Sequence, residues 1–156
     1  MKEAEALNSV SEFHKTFNHP ILPEPQIPAK NRAELRLNLL REELKELEEA
    51  VENQDMVEAA DALCDLQYVL AGAVLEFGMG EKFAELFAEV QRSNMSKVCR
   101  SEEEAQATVN HYVTQNQDAY FEKKEDYYLV YRKSDNKTLK SINYSEVDLQ
   151  RILKRS

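Results

Sequence analysis

The sequence predicts a mainly α-helical protein with a small C-terminal β-hairpin and a short terminal helix. Glycine, which weakens helices, is scarce, with 3 residues among 156. Apolar residues recur at steps of three and four over most of the chain, which is the period of an amphipathic helix. After about residue 118 the chain becomes aromatic and β-branched, as in "YFEKKEDYYLVYRK", and this composition favours strands.

The first predicted helix, "EALNSVSEFHKTF", has five side chains on one side: Leu7, Val10, Phe13, His14 and Phe17. All four prolines then fall within residues 20–28, so this stretch is predicted to be an extended linker, because proline fixes φ and removes an amide donor. The second predicted helix is "NRAELRLNLLREELKELEEAVEN". Asn31 is its expected N-cap, with Glu34 as the capping-box partner.

Three further helices are predicted before the hairpin. One runs from about 56 to 77 and ends at Gly78 and Gly80, since glycine commonly terminates helices. The next is "EKFAELFAEVQRSNMSK". Ser101 with Glu104 forms a capping box that opens the fifth helix, "EEEAQATVNHYVTQ".

The hairpin is predicted to span about 120 to 142, with "SDNK" as its turn and "TLKSI" as the returning strand. Ser145 with Asp148 is expected to cap the last helix, "EVDLQRIL". We therefore predict a helical domain over residues 1–117, with residues 118–156 appended to it as a hairpin and short helix.

Charge and composition exclude several functional classes. The net charge of -9 argues against a nucleic-acid surface, which needs a basic patch. The N-terminus lacks the apolar segment of a signal peptide, and no run reaches the roughly 18 apolar residues of a membrane span. Cys64 and Cys99 are expected to be inert core thiols, and such low cysteine use fits a reducing compartment. We expect a cytoplasmic protein.

Acidic residues form stripes on two successive predicted helices. They are Glu42, Glu43 and Glu46 on the second helix, and Glu58, Asp61 and Asp65 on the third. Each residue of a helix turns about 100°, which places each set of three on one side. The other faces of the third helix are apolar, so we expect it to be buried on most sides. Its acids must then be paired, protonated or bound to a metal ion.

Two interpretations of these acids remain open. Glu-rich helices are commonly solvated faces with i,i+4 ion pairs, and "REELKELEE" alone fits that pattern. The short turn between the helices, however, predicts an antiparallel hairpin that brings the Glu43 and Glu46 sector against the Glu58 and Asp61 sector. Four converging carboxylates suit Mg²⁺ or Mn²⁺, which prefer oxygen ligands.

"EELKE" at 42–46, followed after 11 residues by "EAAD" at 58–61, resembles the EExxE…ExxD signature of the all-α nucleoside triphosphate pyrophosphatases. That superfamily includes MazG-type enzymes, dimeric dUTPases and phosphoribosyl-ATP pyrophosphohydrolases. "SEFHKTFNHP", "LREELKELEEA", "EAADALCDLQYVLAGA" and "EVQRSNMSK" are similar to the phosphoribosyl-ATP pyrophosphohydrolase-like branch. The resemblance covers roughly residues 9 to 100 and implies a four-helix-bundle core.

The resemblance implies metal ligands at Glu43, Glu46, Glu58 and Asp61, with Glu42 as a further acid near the metals or the attacking water. The signature is often followed by a triplet such as Leu-Leu-Tyr. Here "DLQY", beginning at Asp65, matches that tail better than "DALC", beginning at Asp61, but an aligned Glu would then fall on Ala62. Asp65 is therefore kept as an additional candidate ligand, and Glu42 and Glu46 are the expected catalytic residues.

Substrate-binding candidates come from two other segments. The resemblance implies that Arg92, Asn94 and Lys97 hold phosphates, and helical spacing puts Asn94 and Lys97 on one face. Phe13, His14, Phe17 and Tyr68 are candidates for contacting a base. Core packing is the alternative interpretation for these four side chains.

The implied activity is Mg²⁺-dependent hydrolysis of an NTP or dNTP to the monophosphate and pyrophosphate, with neither the base nor the attacked phosphorus decided. A homodimer or dimer of dimers is expected, because two helices with one apolar side cannot bury it alone. One alternative is a non-catalytic helical dimerisation protein derived from the same fold. A di-iron bundle is disfavoured, since no His has a Glu three residues before it.

Overall fold

The computed structural model describes residues 1–154 and divides the chain into two compact units, with the boundary between Phe83 and Ala84. The elements in order are α1 (Ala6–Thr16), α2 (Lys30–Glu52), α3 (Met56–Glu76), α4 (Phe83–Met95), α5 (Glu102–Thr114), β1 (Ala119–Lys124), β2 (Tyr127–Arg132) and α6 (Leu149–Leu153). The mainly helical class with a small C-terminal hairpin is thus confirmed. The unit boundary lies earlier than the predicted domain boundary near residue 118, because α5 packs on both strands and groups with them.

In the first unit, α2 and α3 form an antiparallel hairpin, and α1 packs on α3. The core between α1 and α3 contains Val10, Ala71 and Leu75. Asp55 caps α3 by accepting from the backbone N–H groups of Val57 (2.9 Å) and Glu58 (3.1 Å). This cap satisfies donors that a helix start leaves unpaired and holds the short α2–α3 turn.

The predicted cap of α2 is wrong. The helix begins at Lys30 with Ala29 as its N-cap, and no side chain caps it, so Asn31 lies inside the first turn. Ala29 follows Pro28 in an extended conformation, and its carbonyl oxygen accepts from the N–H groups of Arg32 and Ala33. The backbone therefore starts the helix before Asn31 is reached.

The proline-rich linker runs past the end of α3. The Leu22 N–H donates to the Leu75 carbonyl, and the Gln26 N–H donates to the Phe77 carbonyl, each at 3.1 Å. Gly78 has a φ of +70°, and a Cβ there would collide with the Glu24 backbone. Glycine at the end of this helix therefore provides both the left-handed turn and the room for the linker.

In the second unit, β1 and β2 pair antiparallel, from Ala119 opposite Arg132 to Lys124 opposite Tyr127. Their inner face and α5 enclose a small core: Cys99, Ala105, Ala119, Val130 and Leu139.

The predicted "SDNK" turn is confirmed, because the chain turns at residues 133–135 and the Arg132 N–H donates to the Lys137 carbonyl at 2.9 Å. A second reversal, at Glu125 and Asp126, was not predicted, and it divides "YFEKKEDYYLVYRK" into β1 and β2. Glu125 has a positive φ of 54° there. "TLKSI" returns antiparallel to β2, as predicted, through a bridge between Thr138 and Tyr131 and a hydrogen bond of 2.8 Å from the Leu139 N–H to the Val130 carbonyl.

Of two further predicted helix caps, one is confirmed and the other is wrong. Ser101 caps α5 by accepting from the Glu104 N–H at 3.1 Å, as predicted. Ser145 does not cap α6, which begins later and is capped by Asp148. The Ser145 hydroxyl instead accepts a hydrogen bond from Arg92 of α4 at 2.9 Å.

The two cysteines lie in different environments. Cys99 is buried as predicted, whereas Cys64 is exposed on α3, because α3 leaves one side uncovered. Among residues 1–154, no helix is both long and apolar enough to cross a membrane. Location in the cytoplasm stays a prediction.

Candidate active site

Four of the predicted acids, on both helices of the α2–α3 hairpin, act on a fifth, Glu43. Partial burial raises the pKa of Glu43, and repulsion from neighbouring carboxylates raises it further. Those neighbours are, in order of effect, Glu46, Asp65, Glu42 and Asp61. The stripes of α2 and α3 therefore face each other, and we refer to these five residues as the acid cluster.

An open cleft of about 520 Å³ lies beside the α2–α3 turn. Its lining is mostly polar: Glu46, Glu49, Ala50, Asn53, Asp55 and Glu58. Glu46 thus belongs to both the acid cluster and the cleft. Glu58 lies with Glu46 at the cleft.

The prediction that α3 is buried on most sides is wrong for this chain alone. Within the first unit α3 packs on α1 and α2 only, and Val57, Leu63 and Leu70 are 76%, 56% and 42% exposed. Asp61 and Asp65 are also exposed, and Glu43 is half-buried. Water therefore reaches Asp61 and Asp65, so the desolvation cost expected of a buried stripe remains only at Glu43.

The solvated-face interpretation fits part of α2. Glu49 pairs with Lys45 at 3.0 Å and Glu34 with Lys30 at 3.7 Å, both at i,i+4. Exposed pairs of this kind contribute little to stability. Glu43 differs, because its neighbours are other carboxylates.

Among residues 1–154, no three His, Cys, Asp or Glu side chains are arranged so that they could hold a metal ion. The chemistry of the donors nevertheless fits a hard divalent cation, since the acid cluster offers only carboxylate oxygens. The repulsion that raises the pKa of Glu43 is also the interaction that a cation relieves. The side chains of this cluster are mostly exposed, so they can turn toward an ion.

A buried network of charged side chains joins the three helices of the first unit. Glu76 of α3 is fully buried and accepts hydrogen bonds from Arg36 Nη2 (2.6 Å) and Arg32 Nε (3.1 Å) of α2. Burial alone would raise the pKa of Glu76, but the two arginines outweigh it and hold that pKa below its usual value. Glu76 is therefore ionised and paired, as a buried carboxylate must be.

His14 of α1 completes this buried network. One ring nitrogen, Nδ1, is 2.9 Å from the Pro20 carbonyl oxygen, and the other, Nε2, is 3.0 Å from Arg36 Nη2. These partners assign the proton to Nδ1 and leave Nε2 as the acceptor. Burial lowers the pKa of His14, which agrees with a neutral ring. Both ring nitrogens are thus engaged within the protein.

Gly72 makes room for this arrangement. A Cβ at this position would lie 2.5 Å from Arg36 Nη1 and 3.2 Å from His14 Nε2. Sequence reasoning missed Arg32, Arg36, Gly72 and Glu76 as a group. A usable signal was present, because Glu76 and Gly72 are the unusual residues of the otherwise apolar segment "YVLAGAVLEF".

A cavity of about 220 Å³ lies against this network. Its walls include Phe13, Tyr68, Leu35, Leu39, His14 and Arg36. The rings of Phe13 and Tyr68 meet edge to face, with centroids 5.7 Å apart. Phe13, His14 and Tyr68, three of the four side chains predicted to contact a base, therefore line one cavity, although both ring nitrogens of His14 are engaged. Phe17 packs on Phe13 but does not line this cavity.

The cavity, the acid cluster and the cleft follow one another along the hairpin. Leu39 lines the cavity, and Glu43 is one turn further along α2. Tyr68 also lines it, and Asp65 is one turn earlier on α3. Because the helices are antiparallel, both steps lead toward the α2–α3 turn, and the cavity therefore lies next to the acids.

The predicted phosphate-binding residues belong to the second unit. Lys97 Nζ donates to Asn94 Oδ1 at 2.8 Å, so these two side chains meet as their spacing predicts. Arg92 is engaged with the Glu89 carboxylate, the Ser145 hydroxyl and the Glu146 carbonyl. Binding a phosphate would cost Arg92 some of these contacts.

Comparisons with known proteins match the part of the chain that contains the acid cluster. The family model described as phosphoribosyl-ATP pyrophosphohydrolase matches residues 10–94, more than half of the chain. An uncharacterized protein of Acanthamoeba polyphaga mimivirus is 35% identical over 86 residues, which are 53% of this chain and 32% of the viral protein. The chain therefore spans about a third of the length of that relative. The residues matched by the family model include all of the acid cluster, and the chain belongs to the phosphoribosyl-ATP pyrophosphohydrolase family of the all-α NTP pyrophosphatase superfamily.

Proposed function

We propose that this chain is a divalent-metal-dependent nucleotide pyrophosphohydrolase that converts an NTP or dNTP and water to the monophosphate and pyrophosphate. Family membership indicates a pyrophosphohydrolase activity on nucleotides. The observation that carries the proposal is the acid cluster, in which carboxylates of α2 and α3 repel one another across the hairpin within the matched region. Proteins keep such unpaired like charges together mainly at functional sites.

The proposed ligands of Mg²⁺, or alternatively Mn²⁺, are Glu43, Glu46, Glu58, Asp61 and Asp65. When bound, the ion would lower the pKa of a water molecule and stabilise charge on the leaving pyrophosphate. A carboxylate oxygen of Glu42 or Glu46 accepts the proton of the attacking water. Glu46 suits this role, because it lies in both the acid cluster and the cleft.

The order of features along the hairpin supports one orientation of the substrate. The base enters the cavity beside Tyr68 and Phe13, and the phosphates extend toward the acid cluster one helical turn away. The cavity volume of about 220 Å³ is below that of whole-ligand pockets, so it suits a ring and not an entire nucleotide. The proposal that Asn94 and Lys97 bind phosphate oxygens rests on the sequence resemblance alone, and Arg92 is a weaker candidate because of its contacts within the second unit.

The exposed apolar side chains of the first unit support the proposal of a homodimer or dimer of dimers. Val51, Met56, Val57 and Leu63 are each more than half exposed, and exposed apolar side chains that form a patch are typical of protein–protein contacts. A second copy of the chain would cover them. Sedimentation of the purified protein tests this assembly directly.

Pyrophosphate release from a panel of canonical and damaged NTPs and dNTPs in the presence of Mg²⁺ tests the activity. Glu46→Gln and Asp61→Asn should each lower kcat at least about a hundredfold, which is typical for loss of a catalytic charge. Both changes are at exposed positions, so circular dichroism should show an unchanged helix content. Glu48→Gln, an exposed acid of α2 outside the acid cluster, is the matched control and should keep full activity.

Two results would contradict the proposal in different ways. Full activity in both the Glu46→Gln and the Asp61→Asn variant would contradict the assignment of the active site to the acid cluster. The proposal that the chain is an enzyme would still stand. Absence of pyrophosphate release from every nucleotide, together with no stabilisation by Mg²⁺ or Mn²⁺ in thermal unfolding, would favour a non-catalytic dimerisation protein. The lack of a preassembled metal-binding group among residues 1–154 is the observation that favours this second candidate.

A further inference from the structure

A buried histidine connects α1 to the α2–α3 hairpin. His14 is 1% exposed, its Nδ1–H donates to the Pro20 carbonyl at 2.9 Å, and its Nε2 accepts from Arg36 Nη2 at 3.0 Å. The contact with Arg36 requires a neutral ring, because a protonated imidazole carries a hydrogen on both nitrogens and a guanidinium group only donates. Protonation would therefore set one donor against another at the junction of the three helices.

The buried network offers a protonated His14 no free acceptor. Both carboxylate oxygens of Glu76 already accept hydrogen bonds from Arg32 and Arg36. Acceptors are short in this network even with a neutral ring, since the buried Arg36 Nε–H has no partner among the described residues. A further N–H and a further positive charge beside Arg36 would both be uncompensated, which is costly in a buried position.

Charged or titratable groups face His14 from every element packed against it. They are Arg36 of α2, Glu76 of α3, and His19 of the linker, whose ring centroid is 5.4 Å from that of His14. Burial lowers the pKa of His14, Arg36 and His19 lower it further, and the Pro20 carbonyl and Glu76 act in the opposite direction. A histidine whose pKa is lowered by folding stabilises the packed arrangement above about pH 6.5, and this stabilisation declines as the pH falls below that value.

The helix that this contact can release is α1. It has 11 residues, and isolated helices shorter than about 12–15 residues are marginal in water. Its remaining core contact with α3 is small and centres on Val10, Ala71 and Leu75. Arg32, Arg36 and Glu76 all belong to the hairpin, so their ion pairs do not require α1. Detaching α1 therefore costs less than unfolding the hairpin.

We propose that α1 is a pH-controlled wall of the cavity, and that protonation of His14 detaches it from the α2–α3 hairpin while the hairpin stays folded. Val10, Phe13 and His14, the side chains that α1 contributes to this wall, leave with it. The cavity then opens to water, and a ring bound in it loses its contacts on that side. The detachment itself does not depend on the proposed activity.

Hydrogen exchange followed by mass spectrometry tests the proposal on the unmodified protein without a nucleotide. After correction for the intrinsic rates, the protection of α1 amides should fall by up to about tenfold between pH 7.5 and 5.5, the effect of one linked proton. At both pH values α1 should be less protected than residues 71–76 of α3. A pH effect on α1 below about twofold, or equal protection of α1 and α3, overturns the proposal.

Two variants test the assignment to His14. His14→Gln keeps a donor and an acceptor but does not titrate, so the protection of α1 should no longer depend on pH. His19→Gln, which replaces the neighbouring histidine of the same cavity wall, is the matched control and should keep the dependence. A dependence that persists in His14→Gln, or that disappears in His19→Gln, overturns the assignment.

NMR titration of the imidazole signals provides a second measurement that does not need a folded His14→Gln protein. In the unmodified protein, the His14 ring should become protonated over the same pH range in which α1 loses protection. A His14 ring that stays neutral while α1 loses protection overturns the proposal.

Discussion

Carboxylates lie in opposite environments at the two ends of the α2–α3 hairpin. At one end Glu76 is fully buried and bound by Arg32 and Arg36. Toward the α2–α3 turn, the acid cluster is mostly exposed, and Glu43 is surrounded by charges of its own sign. The ion pairs of Glu76 hold α2 and α3 together. In the acid cluster, Glu43 is repelled by neighbouring carboxylates, and a bound cation can relieve that repulsion. The difference separates the part of the hairpin that maintains the fold from the part available for chemistry.

Removing the buried carboxylate should have the largest effect on stability. Glu76→Gln leaves two arginines without their counter-charge, and breaking a buried pair from one side costs about 3–5 kcal/mol. Urea unfolding followed by circular dichroism measures this loss. Glu48→Gln, at an exposed position of α2, is the control and should change the free energy of unfolding by less than about 0.5 kcal/mol. Equal effects of both changes would contradict the role assigned to the buried network.

Gly72→Ala should have the next largest effect on stability. Alanine favours helices over glycine by about 1 kcal/mol, so a gain in stability is expected from helix propensity alone. The added Cβ would instead lie 2.5 Å from Arg36 Nη1 and displace the guanidinium, for a net loss of about 1–3 kcal/mol. Gly80→Ala, where the new Cβ meets only the end of the Leu75 side chain, is the control. A more stable Gly72→Ala protein would show that Arg36 is not held in this position.

Lowering the pH should first destabilise the buried network around Glu76, through protonation of His14. The pKa of His14 is lowered by folding, so its stabilising contribution is complete above about pH 6.5 and declines as the pH falls below that value. Glu76, whose pKa is also lowered, adds a loss only below about pH 4.3. The free energy of unfolding should therefore fall between pH 7 and 5, by no more than about 1.4 kcal/mol per pH unit for one group. His14→Gln should flatten this dependence, and an unchanged slope in that variant would contradict it.

The smallest effect on stability is expected at Glu43 of the acid cluster. Here, in contrast to the buried network, removing a charge should stabilise the protein. The pKa of Glu43 is raised by folding, so its ionised form destabilises the protein, and this cost disappears as the pH falls through the raised pKa. Glu43→Gln should therefore stabilise the metal-free protein by about 0.5 kcal/mol at neutral pH. Thermal unfolding in the presence of a chelator measures the gain. Adding Mg²⁺ should then stabilise the unmodified protein more than the variant, and the reverse order would contradict the proposed ligand role.

Features that depend on neighbouring residues were predicted well. The acid stripes follow from the helical turn of about 100° per residue, and Glu43 does face Asp61 and Asp65. Ser101 caps α5 because its partner Glu104 is three residues away. The "SDNK" turn was predicted correctly from its turn composition, whereas the reversal at Glu125 and Asp126 was missed, because that stretch lacks glycine, asparagine and proline.

By itself, the sequence determined the helical class, the two acid stripes and the family, since periodicity and short motifs are local properties of the chain. Only the tertiary structure decided which acid is buried and paired. Arg36 and Glu76 are separated by 40 residues, and His14 and Arg36 by 22, so no local pattern connects them. The depth of the cavity and the unpartnered Arg36 Nε–H likewise exist only after α1, α2 and α3 have packed. Burial is set by what covers a side chain, and that depends on parts of the chain that are distant in sequence.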